Sequence, residues 1–187
     1  MNELFHQMEH VFTCGRDELG QLALHPNWQI RYAAAVAIGE RKDQHDLPIL
    51  QQMLDIELER PLYSQPKTSY IGVAGDTSLA EQVKPFTVVF PYEVDLETQE
   101  AWKCRGRVKQ AICFAIYEIG QAPTALLERI KQMVLDDQED APVRAAAIRT
   151  LGKVGDSSCV SCCEYASTID EWCIRVESHK ALGVLAK

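Results

Sequence analysis

The 187-residue sequence predicts an all-α protein, an α-solenoid of about four helix pairs, and three observations carry that expectation. First, one short pattern occurs four times and ends each time at a glycine: IRYAAAVAIG (Ile30–Gly39), AICFAIYEIG (Ala111–Gly120), VRAAAIRTLG (Val143–Gly152) and IRVESHKALG (Ile174–Gly183). The glycines are 81, 32 and 31 residues apart, and a period near 31 marks stacked helical units. Second, the positions nine, five and one before each glycine fall on one face of a helix. They hold Ile30, Ala34 and Ile38; Ala111, Ala115 and Ile119; Val143, Ala147 and Leu151; Ile174, Ser178 and Leu182. The middle of the stripe is always small, so a partner helix can approach closely there. Third, an amphipathic segment precedes each copy.

In chain order, MNELFHQMEH begins an N-terminal helix and Gly15–Leu24 forms the first helix of pair one. Its second helix is expected over Trp28–Ile38. Asp46–Ile56 then opens pair two, closed by Arg105–Ile119. Ala125–Leu135 and Val143–Leu151 form pair three, as antiparallel neighbours, and Ser157–Ser167 and Ile174–Leu182 form pair four. Each repeated glycine, Gly39, Gly120, Gly152 and Gly183, is expected to adopt the left-handed conformation that ends its helix. Positions six and three before the glycine are expected to face outward: Ala33, Phe114, Ala146 and Glu177, then Val36, Tyr117, Arg149 and Lys180. Ala145 is expected opposite the stripe, where enlargement costs little.

The interval of 81 contains one period and an excess of 50 residues, an insertion at about 57–100 between the two helices of pair two. Pro61, Pro66, Pro85 and Pro91 break helices there, while SYIGVAG (Ser69–Gly75) and FTVVFPYEV (Phe86–Val94) suit strands, so a partly β hairpin is expected. From Glu57 to Glu100 eight acidic residues face three basic ones, and WKCRGRVK follows with Lys103, Arg105, Arg107 and Lys109. An acidic flap docking on a basic helix start is one consequence.

Two helices per period, short turns and the V/I-R…A…L-G pattern of the second helix resemble the HEAT repeat, in particular the HEAT-like repeats of phycobilisome lyases. The resemblance covers nearly the whole chain outside the insertion and implies one repeat domain over residues 1–187. It implies that the second helices line an inner face, and that Arg31, Arg144 and Arg175 occupy the family's arginine position, where Ile112 stands in the second copy. In that family an aspartate ahead of the arginine joins it in a ladder; the nearest acidic residues here are Asp140 and Asp170.

With 47% hydrophobic residues the chain can bury a substantial core. No apolar run approaches the roughly 18 to 20 residues of a membrane span, and the N-terminus lacks the pattern of a signal peptide, so a cytoplasmic protein without a membrane partner is expected. Seven cysteines, an odd number, read as reduced thiols. A net charge of −8 disfavours nucleic acid as a partner, including a DNA-repair role on such repeats.

Cys159, Cys162 and Cys163, with Cys173 further on, contain a C-x-x-C spacing but sit at helical spacing that suits a buried face. His6 and His10 share a helix face with no third ligand in view, and His179 reads as a surface residue. GVAGD (Gly72–Asp76) lacks the Lys-Ser/Thr of a phosphate loop and reads as a turn. No catalytic residue, cofactor or metal site is therefore nominated. The functional expectation is a non-catalytic interaction module that binds another protein through its inner face and insertion. The second expectation, which the resemblance implies, is an accessory protein or lyase handling a tetrapyrrole or similar prosthetic group. Only the second copy is aromatic at both outward positions. Phe114 and Tyr117 are therefore either covered by Phe86, Phe90 or Tyr92 of the insertion, or open with Arg149 and Lys180 as a binding patch in which those insertion aromatics form the facing wall.

Overall fold

Every element of the computed structural model, which describes residues 3–59 and 106–186, is helical, and no strand occurs among those residues. The expected hairpin, its segments Ser69–Gly75 and Phe86–Val94, and the docking of the acidic flap lie outside them. The helices are α1 (Glu3–Val11), α2 (Arg16–Ala23), α3 (Trp28–Arg41), α4 (Leu47–Glu59), α5 (Arg107–Ile119), α6 (Thr124–Leu135), α7 (Ala141–Val154), α8 (Val160–Ser167) and α9 (Trp172–Leu185). Each of the expected helices is found; α3, α4, α7 and α9 run two or three residues beyond an expected end, whereas α2, α5 and α8 begin later than expected. Helix α4 continues through Glu59, so Glu57 to Glu59 belong to a helix and not to the insertion.

Local chemistry sets several of these boundaries. The Asn27 side chain accepts from Gln29 N at 2.8 Å and starts α3; Asp156 accepts from Ser158 N at 2.8 Å in the turn ahead of α8. Pro142 lies in the first turn of α7, where its missing N–H costs nothing.

Helices α2 and α3, α4 and α5, α6 and α7, and α8 and α9 pack as pairs. The first helices also pack in succession, α2 on α4, α4 on α6 and α6 on α8, and so do the second helices, α3 on α5, α5 on α7 and α7 on α9. Helix α1 covers α3. One core runs through all of these contacts. Most of the stripe is buried as expected: Ile30, Ala34, Ile38, Val143, Ala147, Leu151 and Ser178 are inaccessible, Ala111, Ala115 and Ile174 are nearly so, and Ile119 and Leu182 are partly buried.

Three sequence expectations are corrected. Ala33 and Ala146 are buried rather than outward-facing, and so is Ala145. Ala145 and Ala146 lie on α7, which packs against α5, α6 and α9, and Ala33 lies on α3, which packs against α1, α2 and α5, so most of the circumference of both helices is covered. The row three before the glycine is open at Arg149 and Lys180, and in the row six before it only Phe114 is exposed.

The glycines form the third correction. Only Gly120 ends its helix in the left-handed conformation, with φ 79°. Gly39, Gly152 and Gly183 lie inside α3, α7 and α9, and it is Lys42, at φ 53°, that terminates α3. The reason is contact between helices. A methyl group on Gly39 would stand 2.9 Å from Ala115 Cα, and one on Gly152 would stand 2.9 Å from Ala181 Cα. Each glycine thus lets the next second helix approach. Among the described residues nothing lies within 4 Å of the corresponding point on Gly183.

Buried ion pairs tie successive repeats together. Arg31 Nε donates to Glu57 Oε1 at 2.7 Å, while its Nη1 donates to the carbonyls of His25 and Pro26 at 2.8 Å each. Lys109 Nζ donates to Glu139 Oε2 at 2.5 Å, and both groups are buried. The basic start of α5 therefore directs Lys109 to the α6–α7 turn. Arg144 Nε donates to the Val134 carbonyl at 3.0 Å, and Arg175 pairs with the exposed Asp170 at 2.5 Å.

Two outcomes follow from this packing. Gly152→Ala should lower stability by about 1 to 3 kcal/mol through overpacking against Ala181. Gly183→Ala should raise it by about 0.5 to 1 kcal/mol, because a helical glycine in open space only costs chain entropy. Denaturant melts of the two variants measure both signs. Glu57→Gln, which leaves the Arg31 charge buried without its carboxylate, should cost about 3 to 5 kcal/mol in the same assay.

Candidate functional site

The open row crosses the second helices as Val36, Tyr117, Arg149 and Lys180. Arg149 and Lys180 are exposed, Tyr117 is half-buried, and Phe114, one turn earlier on α5, is 45% exposed. The Arg149 guanidinium carbon lies 5.0 Å from the centre of the Tyr117 ring and 5.9 Å from that of Phe114. Lys153 Nζ approaches Tyr117 at 4.8 Å. A cation over an aromatic face is held by the ring quadrupole and keeps its outer side hydrated.

Tyr117, Arg149, Lys153 and Lys180 belong to an open groove of about 370 Å³ between α5, α7 and α9, which Gly152, Glu177, Ala181 and Val184 also line. Gly152 and Ala181 meet at the α7–α9 crossing. The packing contact that sets the helix spacing therefore also forms part of the groove lining. Lys180 Nζ pairs with Glu177 Oε1 at 2.6 Å, and Lys42 pairs with Glu118 at 2.6 Å nearby. The hydrogen bond and charge of Lys42 hold the Glu118 carboxyl below its usual range, with Lys153 and Arg149 adding to the effect.

Of the site residues read from sequence, Phe114, Tyr117 and Arg149 form one cluster and Lys180 lines the same groove. Phe86, Phe90 and Tyr92 lie outside the described residues. Lys153 and Val184, each one residue after a repeated glycine, were not anticipated, because those glycines were taken as helix ends. Once α7 is followed to Val154, Lys153 falls one turn beyond Arg149 on the same face.

A second hollow, about 550 Å³, is bordered by Gln44, His45, Leu47, Pro48, Gln121, Ala122 and Pro123, where Gln121 Nε2 donates to Gln44 Oε1 at 2.5 Å. It lies at inter-helix turns and draws together no charged or aromatic cluster.

Cys159, Cys162 and Cys163 are buried, and among the described residues no group of three or more His, Cys, Asp or Glu side chains is arranged to share a metal ion. Burial pushes the Cys113 and Cys163 thiols up to about 12 and Cys162 up to about 11. They are protonated at neutral pH and poor nucleophiles.

The chain matches none of the known protein-family models, and no curated protein matches it significantly. No helix among the described residues is long and apolar enough to cross a membrane.

The thiols provide a check on this burial. Of the six described cysteines, partly exposed Cys173 should react first with a disulfide reagent, and Cys14, Cys113, Cys159, Cys162 and Cys163 should react only on unfolding. Mass-spectrometric mapping of the labelled positions reads the order.

Proposed function

We propose that the chain is a short α-solenoid of the HEAT-like kind and works as a non-catalytic interaction module, binding another protein across the open face of α5, α7 and α9. One observation carries this reading: Arg149 of one second helix lies against the Phe114 and Tyr117 rings of the preceding one, and Tyr117 and Arg149 line an open groove. Aromatic and arginine side chains are the types that most often dominate binding energy, and helical repeats offer extended faces for such contacts. Among the described residues the only carboxylate lining the groove, Glu177, is engaged by Lys180, which suits recognition better than proton transfer. Reduced thiols and an acidic balance of −8 support a cytoplasmic setting and a protein rather than a nucleic acid as partner.

The test is affinity capture from the native host with the wild-type chain and with Tyr117→Ala/Arg149→Ala. The double variant should keep the wild-type circular dichroism, because Arg149 is exposed and Tyr117 only half-buried, and should lose the captured protein. Undiminished capture by a folded double variant contradicts the proposal.

A further inference from the structure

We infer that the groove recognises an acidic peptide segment of the partner, with carboxylates set against Arg149 and Lys153 and an apolar side chain set beside Tyr117 and Val184. The inference rests on the binding reading above and adds the chemistry of the bound segment. Charge supplies the first argument. The chain carries a net −8, yet the groove is lined by three cations, Arg149, Lys153 and Lys180, and one carboxylate, Glu177. Lys180 and Glu177 neutralise each other, and the adjacent Glu118 pairs with Lys42, while Arg149 and Lys153 act on its carboxyl through charge alone.

Arg149 and Lys153 make no ion pair among the described residues and instead stand over the rings of Phe114 and Tyr117. Two cations are thus held in place by ring faces with hydrogen-bonding capacity left for an incoming anion. On an otherwise acidic protein this is a local positive patch, and it steers a negatively charged partner toward itself.

The apolar component comes from Val184, which lines the groove and is 59% exposed, and from Phe114, 45% exposed beside Arg149. A groove of about 370 Å³ takes a few side chains rather than a folded surface. Two cations are too few to neutralise the run of phosphates that a nucleic acid presents, and the remaining negative charge of the chain repels one.

The probe is a fluorescein-labelled peptide of alternating Glu and Leu, compared by anisotropy with its Gln/Leu counterpart and with a labelled single-stranded oligonucleotide. The Glu/Leu peptide should bind, and its affinity should fall as salt is raised. The Gln/Leu peptide and the oligonucleotide should each bind about tenfold more weakly or not at all, and Arg149→Ala/Lys153→Ala should weaken the Glu/Leu peptide by about tenfold. Arg129→Ala, which changes a surface cation paired with Asp55 outside the groove, should leave binding unchanged.

Equal binding of the two peptides, stronger binding of the oligonucleotide, or indifference to Arg149→Ala/Lys153→Ala overturns the inference. If neither peptide binds while capture of the partner still depends on Tyr117 and Arg149, the acidic-segment inference fails and the interaction reading stands. Loss of both peptide binding and groove-dependent capture removes the two together.

Discussion

The close approach of consecutive second helices is the constraint on which the rest of the structure depends. Gly39 meets Ala115 and Gly152 meets Ala181 at distances that leave no room for even one additional methyl group. Between α5 and α7 the same closeness is expressed differently, as Thr150 Oγ1 donates to the Cys113 carbonyl at 3.0 Å across the helix boundary. Helix separation follows the size of the side chains at the crossing, so small residues there bring the open rows of neighbouring helices side by side. Tyr117 on α5 and Arg149 on α7 can stack only because those helices lie close together.

Small residues at a crossing fix distance but allow sliding, and the buried ion pairs restrict it. Arg31 on α3 is bound to Glu57 on α4 and to two carbonyls ahead of its own helix, a geometry that a shift of one helical turn destroys. Lys109 and Glu139 join the start of α5 to the turn before α7 in the same manner. Pairs of this kind contribute little net stability because removing two charges from water is costly, whereas breaking one partner is severe. Their effect here is on register between repeats.

The helices were legible in the sequence because a 31-residue period, a small-centred stripe and an amphipathic partner segment all agree. Position nine before Gly39 shows why: Ile30 is buried whichever way the repeat is stacked. The role of the glycines was not legible. Glycine favours both helix ends and close crossings, and only the neighbouring alanine, distant in sequence, decides between them; Gly120 took the first role and Gly39 and Gly152 the second. Glu57 was likewise assigned to an acidic insertion by composition, although its partner Arg31 lies 26 residues away on another helix. The groove was half legible. Tyr117 and Arg149 share a repeat position, but Lys153 became part of it only through the extension of α7 past Gly152.

The central claim is that the second helices stack directly on one another through these small residues, and nuclear Overhauser effects between their protons test it most directly. Strong effects from Gly39 Hα to the Ala115 methyl group and from Gly152 Hα to the Ala181 methyl group are the expected result, in solution and without a partner. Their absence in a folded, helical sample contradicts the stacking and, with it, the groove that the stacking builds.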